Sequence, residues 1–399
     1  MSSENKASVP SGRGAMRLLH ISDVHAGKRL HGYSQEEDLA HALAQVVDVC
    51  RERSVDCVLV AGDLYDTTQP PDYAVTLVDG FLRDLAEAGV RVVAVPGNHD
   101  SAARVGFASP LLAASGVHVV GPLEGPVEPV VLEDAHGEVR VWPVPFVRPA
   151  TVRAALGCDA PSPTEALAAV VDAMGVDGSV RNVCVAHQFV TSGGVGPERS
   201  ESELTLGDAD NVEVSVFDPF DYVALGHLHR AQKVGRETVR YSGTPLKYSR
   251  GEAGNDKSMV LVDLGEKRGP GDCDLSFELV PFEPLRDVRQ ACGPLEELVS
   301  PEVLALAPAD DYVAVTLTDD TLPLDALGRL REAYPNLLSL EHAPASATGA
   351  REAEVRAPDP GLDLEGLFAG FFEAQRGHAM DDRQRAVLAE CVALVGEGE

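Results

Sequence analysis

Short apolar runs recur through the first two thirds of the chain, and each one ends abruptly at a polar cluster. Five of them are rich in small and β-branched residues, which is typical of buried strands; they span residues 18–21, 57–61, 92–95, 183–186 and 222–225. Between them lie stretches with apolar residues at helical spacing, of which two run from 34 to 53 and from 72 to 88. This alternation of strands and helices predicts an α/β fold.

Two of the predicted helices begin at capping signals. Ser34 is followed three residues later by Glu37, and this spacing predicts a capping box that opens the first helix. Residues 162–165 are a strong helix start, with Pro163 at the first helical position, where its missing N–H costs nothing. We therefore expect helices to begin directly after Ser34 and Ser162.

Changes in composition divide the chain into four parts. The first residues are small and polar without an apolar stretch, which predicts a disordered N-terminus and no secretory signal. Residues 265–274 combine Gly, Pro and charge and are the best candidate for a linker. Beyond them a β-α-β-α-β pattern, with its first strand expected near residues 277–280, predicts a small two-layer domain. The four expected parts are residues 1–15, a main domain at 16–270, a small domain at 275–343 and C-terminal helices at 359–399.

The chain is strongly acidic, with a formal net charge of −30. This charge argues against binding nucleic acid through the protein's overall field, although a local basic groove, bound cations or a basic partner remain open. The chain has seven cysteines, an odd number, and none of them form a C-x-x-C motif. This pattern predicts free thiols and a reducing compartment. Because no window of about 18 apolar residues occurs, we expect a cytoplasmic protein without a membrane segment.

The polar clusters at the ends of the five predicted strands consist of metal-ligand residue types. They contain Asp23 and His25, Asp63, Asn98 and His99, His187, and His227 and His229. If the strands share a sheet, these side chains converge beyond its carboxyl edge. In an extended segment residues i and i+2 point the same way, so both members of the D-x-H and H-x-H pairs would reach one site. Oxygen and nitrogen donors without thiolates favour Mn²⁺, Mg²⁺ or Fe²⁺ over structural zinc, and the set is large enough for two metals with one bridging Asp.

The order of these motifs resembles the calcineurin-like metallophosphoesterase superfamily. The motifs are D-x-H at Asp23, G-D-x-x-D at Gly62, G-N-H-D at Gly97, a lone His187, and G-H-x-H at Gly226. Residues 62–71, 97–102, 226–232 and 241–245 narrow the resemblance to SbcD-type nuclease subunits. The resemblance implies a metallophosphoesterase β-sandwich flanked by helices, with a small α/β capping domain and a C-terminal helical tail.

The resemblance also implies a role for each residue of the motifs. One metal would be held by Asp23, His25, Asp63 and His229, and the other by Asp63, Asn98, His187 and His227. His99 would contact the phosphate or protonate the leaving oxygen, and Asp66 would orient His99. Four cations near the motifs are candidates for contact with DNA phosphates: Lys28, Arg29, Arg104 and Arg230.

At the level of function, the resemblance implies an Mn²⁺-dependent DNA exonuclease and endonuclease acting on DNA ends and hairpins in repair, recombination and replication. The resemblance also implies an SbcC-type, SMC-like ATPase as the partner. No G-x-x-x-x-G-K-[ST] motif occurs in this chain, so any ATP dependence must reside in another chain. Phe368, Phe371 and Phe372 on the C-terminal helices would dock onto that partner. A homodimer within a heterotetramer, associated with the nucleoid, would be the assembly.

Two other functions are compatible with the same residues. The first is a small-molecule or cyclic-nucleotide phosphodiesterase, against which the capping domain and helical tail count. The second is a non-catalytic subunit that binds DNA ends through a vestigial site, against which the completeness of the ligand set counts.

Overall fold

The computed structural model describes residues 14–198, 211–344, 366, 368–372 and 378–396. These residues form two compact units, one ending at Asp287 and the other beginning at Val288. Most of the predicted N-terminal part lies outside the described residues. The helices of the first unit are α1 (Glu36–Arg53), α2 (Asp72–Glu87), α3 (Ala102–Val105), α4 (Ser109–Ala113), α5 (Pro149–Leu156) and α6 (Pro163–Met174).

The described strands of the first unit are β1 (Met16–Ile21), β2 (Arg29–Leu30), β3 (Tyr33–Ser34), β4 (Cys57–Ala61), β5 (Arg91–Val95), β6 (Val117–Val119), β7 (Val130–Asp134), β8 (Gly137–Val144), β9 (Arg181–His187), β10 (Val190–Thr191), β11 (Val212–Glu213), β12 (Tyr222–Gly226), β13 (Gln232–Val234), β14 (Arg236–Tyr241), β15 (Ser258–Gly269) and β16 (Asp272–Pro281). They form two six-stranded sheets and two short pairs. The first sheet has the order β16-β15-β1-β4-β5-β6, and the second has the order β13-β14-β12-β9-β8-β7.

Alternating side chains on the strands divide the core of the first unit into three layers. Leu18 of β1 lies in a buried cluster with Val183 and Val185 of the second sheet, so the two sheets pack face to face. Its neighbour Leu19 lies instead with Leu43 of α1, on the outer face of the first sheet. Helices α5 and α6 cover the second sheet in the same way. The predicted fold class, a sandwich flanked by helices, is confirmed.

The two predicted helix starts have different outcomes. The start at Ser162 is confirmed, and a capping box closes it: Ser162 Oγ accepts from the backbone N–H of Glu165 at 3.2 Å, and the Glu165 carboxylate accepts from the N–H of Ser162 at 3.1 Å. The box at Ser34 is wrong, because α1 has Gln35 at its N-cap and no side-chain cap. Ser34 belongs to β3, where strand pairing fixes its backbone before the helix begins.

The predicted linker at residues 265–274 is wrong, because these residues form a hairpin. Strands β15 and β16 pair antiparallel as far as Gly269 and Asp272, and Gly271 takes a φ of +74° in the turn. The Gly and Pro that suggested a linker are the residues that a tight hairpin turn requires. The strand expected near residues 277–280 therefore extends the first sheet, and the unit boundary lies later, after Asp287.

The second unit contains the predicted β-α-β-α-β pattern. Its first strand is not the one expected near residues 277–280 but the next strand along the chain. The elements are β17 (Val288–Gly293), α7 (Leu295–Leu298), α8 (Pro301–Leu304), β18 (Tyr312–Leu317), α9 (Ala326–Ala333), β19 (Asn336–His342) and α10 (Asp382–Gly396). Strands β17, β18 and β19 form one parallel sheet in that order. Phe368 and Phe371 are 46% and 61% exposed. Among the helices that the structure describes, none has the length and apolar character needed to span a membrane.

Candidate metal centre

The loops that follow β1 and β4 are joined to one another by main-chain hydrogen bonds. The N–H of Asp23 donates to Gly62 O at 3.0 Å, and the N–H of His25 donates to Asp63 O at 2.8 Å. Asp23, His25 and Asp63 take positive φ values of 52°, 46° and 49°. The predicted extended geometry of the D-x-H pair is therefore wrong. Such backbone conformations are costly for residues with a Cβ and collect at functional sites.

Asp23, His25 and His229 form the first group of donors, with ligand atoms within 4.8 Å of one another. All three side chains are buried. Both ring nitrogens of His25 lack a hydrogen-bond partner, and Nε2 lies 3.7 Å from Asp63 Oδ2. Leaving a buried imidazole nitrogen without a partner is costly, so His25 Nε2 is suited to act as a metal ligand.

Asp63, Asn98, His187 and His227 form the second group. Asn98 Oδ1 lies 2.9 Å from His187 Nε2 and 2.9 Å from His227 Nδ1. Asp63 Oδ2 lies 3.4 Å from His187 Nε2. Since the same Asp63 oxygen also faces His25, Asp63 stands between the two groups, where a bridging ligand would have to be.

The donors come from both sheets and not from a single shared sheet. Asp23, Asp63 and Asn98 follow strands of the first sheet, whereas His187, His227 and His229 belong to the second. Parallel strands in the two packed sheets end at the same edge of the sandwich, and this brings the two sets together. Gly226 permits the closest approach, because a Cβ at this position would collide with the carbonyl oxygen of Ala61.

The electrostatics of the centre fit a bound cation. Burial opposes ionisation of Asp63, but the neighbouring His187 and His25 lower the pKa of this carboxyl well below its usual range. Burial also opposes protonation of His187, yet Asp63 and Asp23 raise its pKa to about 9. The buried carboxylates thus require positive charge beside them, which either a proton on His187 or a divalent metal can supply.

His99 is the exposed imidazole of the centre, and its ring centroid lies 4.9 Å from that of His25. His99 Nδ1 lies 3.0 Å from the backbone oxygen of Asp66. A carbonyl can only accept, so Nδ1 carries the proton and donates. Asp66 thus contacts His99 through its backbone oxygen, whereas its carboxylate lies 2.8 Å from Lys28 Nζ and 3.3 Å from His25 Nδ1. The predicted role of Asp66 in orienting His99 stays a prediction.

Comparison with known proteins identifies the family of this chain. Residues 16–231 match the model of the calcineurin-like phosphoesterase family. The chain belongs to the calcineurin-like phosphoesterase family. Residues 281–376 match a second model, described as the type 5 capsule protein repressor C-terminal domain and named for SbcD. The resemblance stated from the motifs is confirmed, and the protein is a metal-dependent phosphoesterase with a candidate divalent-metal centre.

Two curated relatives of this phosphoesterase are similar over nearly its whole length, and both bear the name of the SbcD component of the nuclease SbcCD. The protein from Staphylococcus epidermidis is 26% identical over 94% of this chain and 98% of its own length. The protein from Staphylococcus saprophyticus is 27% identical over 96% of this chain and 100% of its own length. Among solved structures, a dimetal phosphatase from Danio rerio is 14% identical, with a TM-score of 0.37, over 68% of this chain and 100% of its own.

Several residues of the phosphoesterase centre escaped the sequence reasoning. Asp100 accepts from the N–H groups of Gly97, Leu64 and Tyr65 at 2.9 to 3.1 Å and so holds the β4 and β5 loops together. Burial and the nearby Asp63 raise the pKa of Asp100 to about 6. The position of Asp100 inside the G-N-H-D motif was its only signal.

Three further residues near the centre lie outside every motif. Glu252 and Lys257 are buried behind His229. Arg148 is exposed and lies over the ring of Phe146, which in turn packs against His187. No periodicity or spacing marks these residues in the sequence, because they come from connections between strands.

The four candidate DNA contacts differ in their surroundings. Lys28 is engaged with Asp66, and Arg230 forms an ion pair with Glu198. Arg29 donates to the carbonyl of Gly32, and Arg104 is exposed on α3. Of these, Lys28 alone is tied directly to a residue beside a metal ligand.

Proposed function

We propose that this phosphoesterase is an Mn²⁺-dependent DNA nuclease that cuts phosphodiester bonds at DNA ends and hairpins together with an SbcC-type, SMC-like ATPase. The observation that carries the proposal is the convergence of the seven donors around one exposed imidazole, His99. Similarity to two nucleases over nearly the full chain supports DNA as the substrate.

The proposed ligand sets follow the two groups of donors. Asp23, His25 and His229 hold one metal, Asn98, His187 and His227 hold the other, and Asp63 bridges. Bound divalent metals would offset the charge of the phosphate and activate a water molecule. Mn²⁺ is preferred, with Mg²⁺ or Fe²⁺ as alternatives, because the donors are hard oxygens and imidazoles.

His99 carries the proton chemistry in this proposal. The Asp66 carbonyl fixes the proton on Nδ1, so Nε2 is the atom available to the substrate. In the imidazolium form, Nε2 would donate to a phosphate oxygen and pass its proton to the leaving oxygen. The exposed position of His99 suits contact with a polymer that approaches from solvent.

Partner and substrate surfaces complete the proposal. Lys28, Arg29, Arg104 and Arg230 would contact DNA phosphates, and the exposed Phe368 and Phe371 would dock the ATPase. The assembly would be a homodimer within a heterotetramer, located on the nucleoid in the cytoplasm. Light scattering of the purified chain, alone and with the ATPase, tests this stoichiometry.

A cleavage assay tests the activity. With Mn²⁺, the full chain should cut linear and hairpin DNA, with and without the ATPase partner, and His99→Gln should lose at least a hundredfold in rate. His136→Gln, which changes an exposed histidine on the β7–β8 hairpin, should keep full activity. Equal rates for wild type and His99→Gln would refute the role of His99.

Two other results would replace the proposal. Rapid cleavage of small phosphodiesters or cyclic nucleotides with no cleavage of DNA would identify a small-molecule phosphodiesterase. Absence of bound metal after Mn²⁺ loading, with DNA ends still bound, would identify a non-catalytic DNA-end-binding subunit.

A further inference from the structure

A buried ion pair lies directly behind His229. Glu252 is fully buried and Lys257 is 8% exposed. Lys257 Nζ donates to Glu252 Oε2 at 2.6 Å. Burying a charge is expensive even when it is paired, so the location of this pair calls for a reason beyond stability.

Both members of the pair contact the same residue, His229. Lys257 Nζ donates to the backbone oxygen of His229 at 2.9 Å and to Thr244 Oγ1 at 2.7 Å. Glu252 Oε1 faces His229 Nδ1 at 3.6 Å, which is a charge contact and longer than a hydrogen bond. The pair thus reaches both the main chain and the ring of His229.

Other contacts fix the carboxylate itself. Ser249 Oγ donates to Glu252 Oε1 at 3.0 Å, and the Glu252 N–H donates to Ser249 O at 3.1 Å. With Lys257 on the other oxygen, the carboxylate has little freedom to turn away from the imidazole. These contacts together hold the carboxylate beside the imidazole.

We propose that Glu252 and Lys257 are positioning residues for His229 as a metal ligand. This inference rests on the metal centre of the proposed function. A carboxylate beside Nδ1 favours the tautomer that carries its proton there, which leaves Nε2 to donate to a metal and makes it more basic. Lys257 holds the carboxylate through one hydrogen bond and the backbone of His229 through another.

A second buried lysine–carboxylate pair in the chain serves as a matched control for the effect of breaking the Glu252–Lys257 pair. Lys267 Nζ lies 2.9 Å from Asp221 Oδ2, and both side chains are 4% exposed. Lys267 also donates to a backbone oxygen, that of Val180, at 2.8 Å. Asp221 precedes β12, whereas His227 follows the opposite end of that strand. Asp221→Asn therefore leaves a buried lysine without its carboxylate, as Glu252→Gln does, but far from the metal ligands.

The decisive experiment measures Mn²⁺ binding by titration calorimetry and by the electron paramagnetic resonance signal of free Mn²⁺, using the full-length chain. Glu252→Gln should weaken one of the two binding steps at least tenfold. Asp221→Asn should leave both steps within twofold of wild type. Equal affinities for wild type and Glu252→Gln, or equal losses in the two variants, would overturn the proposal.

A second variant keeps the test valid if Glu252→Gln does not fold. Replacing both charges, Glu252→Leu with Lys257→Met, removes the unpaired lysine and should restore stability. This double variant should still bind Mn²⁺ at least tenfold more weakly at one step, and wild-type affinity in it would refute the positioning role. Since DNA is absent from the measurement, a failure of the nuclease proposal is distinguishable: it would appear as intact Mn²⁺ binding without cleavage.

Discussion

His20 joins the two sheets just below the metal centre and should make the fold sensitive to acid. Its ring is fully buried, with Nε2 at 3.1 Å from Leu225 O and Nδ1 at 3.0 Å from the Tyr222 hydroxyl. The carbonyl can only accept, so Nε2 carries the proton and Nδ1 accepts from Tyr222. The neutral ring therefore has both partners, and protonation would turn the Nδ1 acceptor into a donor.

The loss of folding stability at low pH can be calculated from the lowered pKa of His20. Burial lowers the pKa of His20 from 6.5 to about 3. Because the folded pKa is lower than the unfolded one, stability is fully present above pH 6.5 and is lost as the pH falls toward 3. pH 5 lies about 1.5 units below the pKa of the unfolded chain, so protonation of His20 stabilises the unfolded chain there by about 2 kcal/mol, while the folded chain stays unprotonated.

The assay compares His20→Gln with wild type. Glutamine keeps one donor and one acceptor but does not titrate, so it should lose about 2 kcal/mol less than wild type between pH 7.5 and pH 5.0. Urea unfolding of the metal-free protein at both pH values measures this difference, and His136→Gln should behave as wild type. Equal losses in wild type and His20→Gln would show that the buried ring is not held neutral.

Three further substitutions test the local structure. Gly226→Ala should lower both thermal stability and Mn²⁺ affinity, because its Cβ would meet Ala61 O and His187; Gly125→Ala, in open space, should change neither. Ser162→Ala should cost about 1 kcal/mol in urea unfolding through loss of the α6 cap, and a change below 0.3 kcal/mol would mean that the cap does not act in solution. Asp66→Asn should weaken Mn²⁺ binding about tenfold, since it removes the carboxylate that faces His25. Unchanged affinity with lost cleavage would instead mean that Asp66 acts by orienting His99.

The sequence was informative where the signal is local. The D-x-H, G-N-H-D and G-H-x-H motifs lie at strand ends, and the structure brings their donors together. The helix start at Ser162 was predicted from residues 162–165 alone. The residues within each motif and within this helix start are neighbours in sequence, so spacing alone identifies them.

The sequence failed where the structure depends on distant pairing. Residues 265–274 have the composition of a linker, and only the pairing of β15 with β16 makes them a hairpin. Ser34 has the spacing of a cap, but pairing with Arg29 places it in a strand. Convergence of the donors was predicted on the condition that their strands share one sheet, because nothing in a single strand reveals which sheet it joins.

The contacts of Asp66 and Glu252 reveal a shared construction around the first metal position. His25 Nδ1 faces the carboxylate of Asp66, which is held by Lys28, and His229 Nδ1 faces that of Glu252, which is held by Lys257. By contrast, His187 Nδ1 lies 2.9 Å from a neutral acceptor, the carbonyl of Ala61, and the Asp23 carboxylate is farther from it, at 4.0 Å. Carboxylates make an imidazole a stronger donor than a carbonyl does, so the two proposed metal positions would differ in donor strength although both use histidine. Asp66→Asn and Glu252→Gln should therefore weaken binding of the same metal ion.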